Sequence, residues 1–180
     1  MSTTARKAEI PEVAMAAYAR ATPRTGEESP ACRLGWTTLA GIGYVESQHG
    51  TLAGRTLDVD GHPSAPVLGP ALDGRQYAAV RSTEQSMAWH GDPRWDHAVG
   101  PLQFIPSTWA RWAADGDGDD VRDPNDLDDA ALATARYLCA SRADLTTASG
   151  WTDAVLSYNH SDVYVHQVLG AADEYESRTS

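Results

Sequence analysis

The chain has 180 residues, 42% of them hydrophobic and 22% charged, an ordinary globular composition that supports one sizeable core and one domain. A net charge of -11 and a pI near 4.8 leave no basic patch to neutralise phosphates or hold an anionic membrane surface, which excludes nucleic acid as an expected partner. No window of 18 apolar residues occurs and the N-terminus lacks the apolar region of a secretory signal, so neither a transmembrane segment nor an export signal is expected in this chain.

In chain order, residues 1–9 read as a tail. Ile10-Pro11-Glu12, followed by Val13, Ala16, Ala17 and Ala19, opens a helix with proline at its start, expected to end near Ala21 ahead of Thr22-Pro23. Trp36 to His49 has helical periodicity. Gly50 to about Ser82 is rich in glycine and proline without a sustained period, and irregular stretches of that length in a compact domain are usually functional. Pro106-Ser-Thr-Trp109 starts a short helix, Asp126 to Ser141 reads as a long one, and Trp151–Tyr158 and Asp162–Tyr175 read as two more, with 177–180 as a tail. No strand pattern competes, so the class is mainly α, with a monomer expected.

Glu46, in Gly41-Ile-Gly-Tyr-Val-Glu46-Ser-Gln-His-Gly50, lies seven, four and three residues after Leu39, Ile42 and Gly43 and shares their helix face. A carboxylate turned inward loses hydration and its pKa rises, which is what a general acid needs. Gly41 and Gly43 each cost a helix interior roughly 1 kcal/mol relative to alanine, so a substrate or another backbone is expected close by. The plainer alternative for Glu46 is a helix-face ion pair with an arginine.

Asp115-Gly-Asp117-Gly-Asp119-Asp120-Val121-Arg-Asp123-Pro-Asn-Asp126 places oxygen donors at positions one, three, five and twelve of an EF-hand-like loop, with the Val121 carbonyl at seven. That is the spacing of a hard-cation site suited to calcium. Position six is Asp120 rather than glycine, a residue that tolerates positive φ better than most. The plainer alternative is a solvated turn that caps the next helix. Gln103, in Ala98-Val-Gly100-Pro-Leu-Gln103-Phe-Ile-Pro, is a single amide among apolar residues that must pair with backbone or face a cleft. In Ser157-Tyr158-Asn159-His160-Ser161-Asp162 a helix ends and another starts, with Asn159 able to take a left-handed C-cap. Cys32 and Cys139 exclude a disulfide-dense scaffold and a four-cysteine zinc site; one bridge and two buried thiols both remain open. One phenylalanine against six tryptophans and seven tyrosines favours rings with a polar edge, which stack on sugars as well as fill cores.

Glu46-Ser47 after an apolar helix, Gly100-x-x-Gln103 and Tyr158-Asn159, in that order, resemble the three signature motifs of lytic transglycosylases with the goose-lysozyme-like fold. The aspartate-rich loop narrows the resemblance to the membrane-bound lytic murein transglycosylase B family, particularly its actinobacterial members, over roughly residues 10–176. The resemblance implies a single mainly helical lysozyme-like (goose-type, SLT) domain carrying a long irregular loop and a calcium loop. It implies that Glu46 is the sole catalytic acid/base, that Gln103 orients substrate with Phe104 and Ser47 nearby, that Asn159 beside Tyr158 contacts sugar, and that Tyr137 and Tyr164 are cleft tyrosines. Ser157 departs from the family's usual alanine, and the family's last metal carboxylate matches Asp129, which is favoured over Asp126 because Asp126 has a helix-start role.

The mechanism so implied has Glu46 protonate the glycosidic oxygen between N-acetylmuramic acid and N-acetylglucosamine, then take the proton of the muramoyl C6 hydroxyl to close a 1,6-anhydro ring. Asp96 is the rival second carboxylate that would make a hydrolase. A calcium-dependent wall-binding module is the alternative from another class, and an EF-hand sensor fails for want of a second loop and a methionine-rich groove. Peptidoglycan strands are the expected partner and the cell wall or extracellular space the expected location, by way of a segment trimmed from this chain or of phage or lysis delivery.

Overall fold

A computed structural model describes residues 2–180. Ten named elements follow one another: α1 (Thr3–Ala8), α2 (Glu12–Glu28), α3 (Trp36–Ser47), β1 (Leu68–Ala71), α4 (Glu84–His90), β2 (His97–Val99), α5 (Pro106–Trp112), α6 (Leu127–Leu138), α7 (Ala148–Tyr158) and α8 (Asp162–Thr179). Two helix pairs carry the architecture, α2 on α6 and α3 on α8, and contribute the buried Leu39, Ile42, Leu127, Leu132, Leu138 and Val168 to the core. Among the described residues no helix is long and apolar enough to cross a membrane.

The ends differ from the sequence reading. Within the expected tail, residues 2–9 are folded: Ser2 Oγ accepts from Ala5 N at 3.1 Å and starts α1, whose Ala5 and Ala8 are buried against α8. At the other end α8 continues to Thr179. The first long helix does not stop before Pro23 but carries it to Glu28. Proline removes one helical hydrogen bond there, and pairs on both sides of it hold the helix to α6: Arg20 is bidentate on Asp128 at 2.7 and 2.6 Å, and Arg136 on Glu28 at 2.8 and 2.6 Å.

Cys32 and Cys139 form a disulfide across 107 residues, tying the segment after α2 to the end of α6. Closing a loop of about 100 residues contributes roughly 4.7 kcal/mol in the chain-entropy picture.

Opposite the helices, 50–105 forms a lobe with a small antiparallel sheet, Leu68 pairing Val99 and Ala71 pairing His97 across a register irregularity. Strands of four and three residues, one containing Pro70, are too short for alternation to betray them. The lobe also contains α4, which starts on a reciprocal Thr83–Ser86 capping box and ends at the left-handed Gly91. The irregular loop is pinned by Arg55, which donates to the carbonyls of Leu52, Ala65 and Pro66, and by Leu127 N bonding Gly61 O.

Both glycines of α3 are explained by close approach. A Cβ on Gly41 would stand 2.8 Å from the Val168 carbonyl of α8, and one on Gly43 would stand 2.0 Å from the Tyr18 hydroxyl. At Gly41 the neighbour is another backbone rather than substrate.

Candidate active site

Helix α3 ends in a left-handed turn at Gln48 and His49, which leaves Glu46 in its last turn at the edge of the core. The face beneath it is the expected one: Leu39 and Ile42 are fully buried. Glu46 has no arginine partner among the described residues. Its Oε1 accepts from the Tyr164 hydroxyl at 2.6 Å, and Ser161, capping α8 through Tyr164 N, sets that tyrosine in the first helical turn. Burial raises the Glu46 pKa to about 7, with the Tyr164 hydrogen bond pulling the other way.

Glu46 opens into a cavity of about 420 Å³ between the helices and the small sheet. Of the residues expected on the substrate side, Gln103, Phe104, Tyr137, Tyr158 and Asn159 line it, with Pro70, Leu72 and Ala98 from the sheet side. Glu46 is the one acidic side chain among its described lining residues. Tyr77, Thr108 and His160 also line it and were not singled out by motif.

Most polar groups of this wall are committed to the protein. Gln103 sits at φ 52, and its Nε2 donates to Val67 O at 3.1 Å and Gly100 O at 2.9 Å, leaving Oε1 as the group it can offer. Tyr158 donates to Leu102 O at 2.6 Å and Tyr137 to Ser157 O at 2.5 Å, so both present rings rather than hydroxyls. Those rings meet edge to face at 5.5 Å, and Phe104 packs edge-on against Tyr158 and Trp109. Asn159 is exposed at the rim on extended backbone, φ -142, not the left-handed cap its residue type allows.

Two residues named from the sequence lie outside this cavity. Ser47, one position on from Glu46, is turned away from it by the helix, and its buried hydroxyl donates to Pro101 O at 2.5 Å and accepts from Gly50 N at 2.7 Å. Asp96 does not reach the cavity. It is buried in the sheet lobe, where Oδ1 accepts from Ser86 Oγ at 2.5 Å and faces His90 Nε2 at 3.2 Å.

A second hollow of about 900 Å³ lies on the other side of Glu46, lined by Tyr44, Gln48, Leu52, Tyr175 and Arg178 among others. Beneath it His49 is buried between two tyrosines, a feature no motif announced.

The aspartate-rich loop packs behind the Gln103 turn. Gly100, at φ 78, has no room for a Cβ, which would stand 1.8 Å from Pro124 O. Carboxylate oxygens of Asp115, Asp117 and Asp129 lie within 4.8 Å of one another. Asp129 is buried, accepts from Gly116 N and Asp123 N, and is raised to about 7 by burial and the Asp126 and Asp117 charges. Asp126 caps α6, its Oδ1 accepting from Asp128 N and Asp129 N. Asp119 accepts from Val121 N at 2.7 Å, and Asp120 takes φ 67, the left-handed conformation its position in the loop requires.

The family model described as Transglycosylase SLT domain matches residues 80–152. That span holds the sheet lobe from Val80, the Gln103 turn, the aspartate-rich loop and Tyr137, and stops short of Tyr158 and Asn159. No curated protein and no solved structure matches the chain. The match begins after Glu46 and covers less than half of the chain; a mainly helical domain is consistent with it, and at the family level it supports a glycan-cleaving enzyme of the transglycosylase SLT type acting on peptidoglycan.

Proposed function

We propose that this chain is a peptidoglycan lytic transglycosylase of the type it resembles, the membrane-bound lytic murein transglycosylase B family, and that it acts at the cell wall with Glu46 as sole acid and base. The observation that carries the reading is Glu46 itself, the one carboxylate among the described residues of the cavity, hydrogen-bonded by Tyr164 and raised to about 7. A group balanced near neutrality can give a proton in one step and take one in the next.

The step sequence balances with one residue. Protonated Glu46 gives its proton to the oxygen between N-acetylmuramic acid and N-acetylglucosamine as the C1–O bond breaks, and the acetamido carbonyl of the muramoyl ring supports C1. The glucosamine leaves with a 4-hydroxyl. Ionised Glu46 then takes the proton of the muramoyl C6 hydroxyl while that oxygen bonds C1, closing the anhydro ring and restoring the acid without consuming water. Tyr164 holds one carboxyl oxygen throughout, which leaves the other for the proton.

The ring wall of Phe104, Tyr137 and Tyr158 fits the apolar face of a sugar, with Gln103 Oε1 and the Asn159 amide as polar contacts. In the same reading Asp115, Asp117, Asp119, the Val121 carbonyl and Asp129 hold a calcium ion. The fit rests on an all-oxygen donor set with a buried carboxylate among other negative charges. The ion would neutralise that charge behind the Gln103 turn.

Clearing of purified sacculi tests the assignment. Glu46→Gln is expected to abolish it with the fold intact, and retention of more than a few per cent of the activity would sink it.

A further inference from the structure

The second hollow beside Glu46 stands at the end of a chain of three rings. The hydroxyl of Tyr18, a fully buried residue of α2, lies 3.0 Å from His49 Nδ1, and His49 Nε2 lies 2.9 Å from the hydroxyl of Tyr175 in α8. Gly43 makes the room for it, since any side chain there would meet the Tyr18 hydroxyl. Three separate helices and one glycine are thus arranged around a single imidazole.

Counting hydrogens gives this chain a direction. Burial lowers the His49 pKa to about 4, so at neutral pH the ring has one N–H donor and one bare acceptor nitrogen. In one arrangement Tyr18 donates to Nδ1, and Nε2–H donates to the Tyr175 oxygen. In the other, Tyr175 donates to Nε2 and Nδ1–H donates to Tyr18, whose own O–H is then left without an acceptor, because among the described residues His49 is its only hydrogen-bond partner. An unmet buried hydroxyl costs about 1–3 kcal/mol. Tyr175 suffers no such loss in the first arrangement, because it lines the hollow and its O–H can point there.

We propose that Tyr18 and His49 form a one-way relay that fixes the Tyr175 hydroxyl as a hydrogen-bond donor into the second hollow, where it takes an acetamido carbonyl oxygen of the glycan strand. Tyr175 is the binding residue; Tyr18 and His49 position it. An uncharged N-acetylated sugar offers that carbonyl as its best acceptor, and the exposed Tyr44 ring beside it supplies an apolar face. This inference rests on the glycan reading of the previous section and adds a second binding site for the strand on the far side of Glu46.

Two measurements decide it. Nitrogen-15 NMR of the His49 ring should show Nδ1 bare and Nε2 protonated at neutral pH, and the opposite tautomer would overturn the relay. Binding of a soluble tetrasaccharide of alternating N-acetylglucosamine and N-acetylmuramic acid should be measured on Glu46→Gln alone and combined with Tyr175→Phe or Tyr18→Phe. Tyr175→Phe should weaken binding about fivefold, the worth of one neutral hydrogen bond, and Tyr18→Phe should weaken it in the same direction without touching the ligand. Unchanged affinity in Tyr175→Phe overturns the inference and leaves the enzyme reading standing. Absence of binding to Glu46→Gln overturns the inference too, and overturns the enzyme reading with it only where the native protein also fails to clear sacculi.

Discussion

Replacing Glu46 by glutamine should stabilise the protein, in a way that depends on pH. The native carboxyl holds its proton to about 7, whereas the unfolded chain releases it near 4.5. Between those values the native state binds more protons than the unfolded one, so the Glu46 contribution falls as pH rises and is fully lost above about 7. A rise of that size corresponds to about 3 kcal/mol at 1.36 kcal/mol per pH unit, an upper figure because the side chain is only partly buried. Glutamine keeps the acceptor for Tyr164 and has no charge to desolvate. Thermal melts of both proteins should therefore coincide near pH 4 and separate in favour of Glu46→Gln at pH 7.5, by at most about 6–12 °C at roughly 2–4 °C per kcal/mol. Taking the difference between the two proteins cancels every other titrating group. A difference independent of pH, or a variant less stable at pH 7.5, would refute the claim that Glu46 sits in a desolvated site.

Tyr164→Phe removes the interaction that lowers the Glu46 pKa, so the pH profile of kcat/KM should move upward and kcat should fall; an unmoved profile would separate Tyr164 from the acid. Calcium at about 100 times its dissociation constant should stabilise the native protein by roughly 2.7 kcal/mol, read as a higher melting temperature than in excess chelator. Asp129→Ala should erase that response, while Asp126→Ala should keep it and lose about 1 kcal/mol of cap energy in both conditions. Reducing the Cys32–Cys139 bridge should cost about 2–5 kcal/mol, checked by denaturant midpoints with and without reductant.

What the sequence made legible was local. The inward face of Glu46 follows from the spacing of Leu39 and Ile42, and Asp126 reads as a helix start on its own composition. Contacts set by distant chain were not legible. Pro23 reads as a stop because its neighbours do not show that Asp128 and Arg136 of another helix hold it in place. Cysteine spacing left the bridge open, since pairing depends on a Cα separation of 5.4 Å that only the packed α2 and α6 create. Motif adjacency places Ser47 beside Glu46, but one residue along a helix turns the side chain through about 100°, which takes it out of the 420 Å³ cavity. His49 lay in full view, but its partners are 31 and 126 residues away. The short strands and α4 carry too few residues to establish a period.

Product chemistry tests the central claim most directly. Mass spectrometry of muropeptides after digestion of purified peptidoglycan should find cleaved muramoyl ends lighter by one water and non-reducing, because among the described residues Glu46 is the only carboxylate lining the cavity and Asp96 is held by Ser86 and His90 away from it. Asp96→Asn should lower stability and leave that product unchanged. Predominantly reducing muramic acid ends, diminished by Asp96→Asn, would contradict the single-carboxylate account.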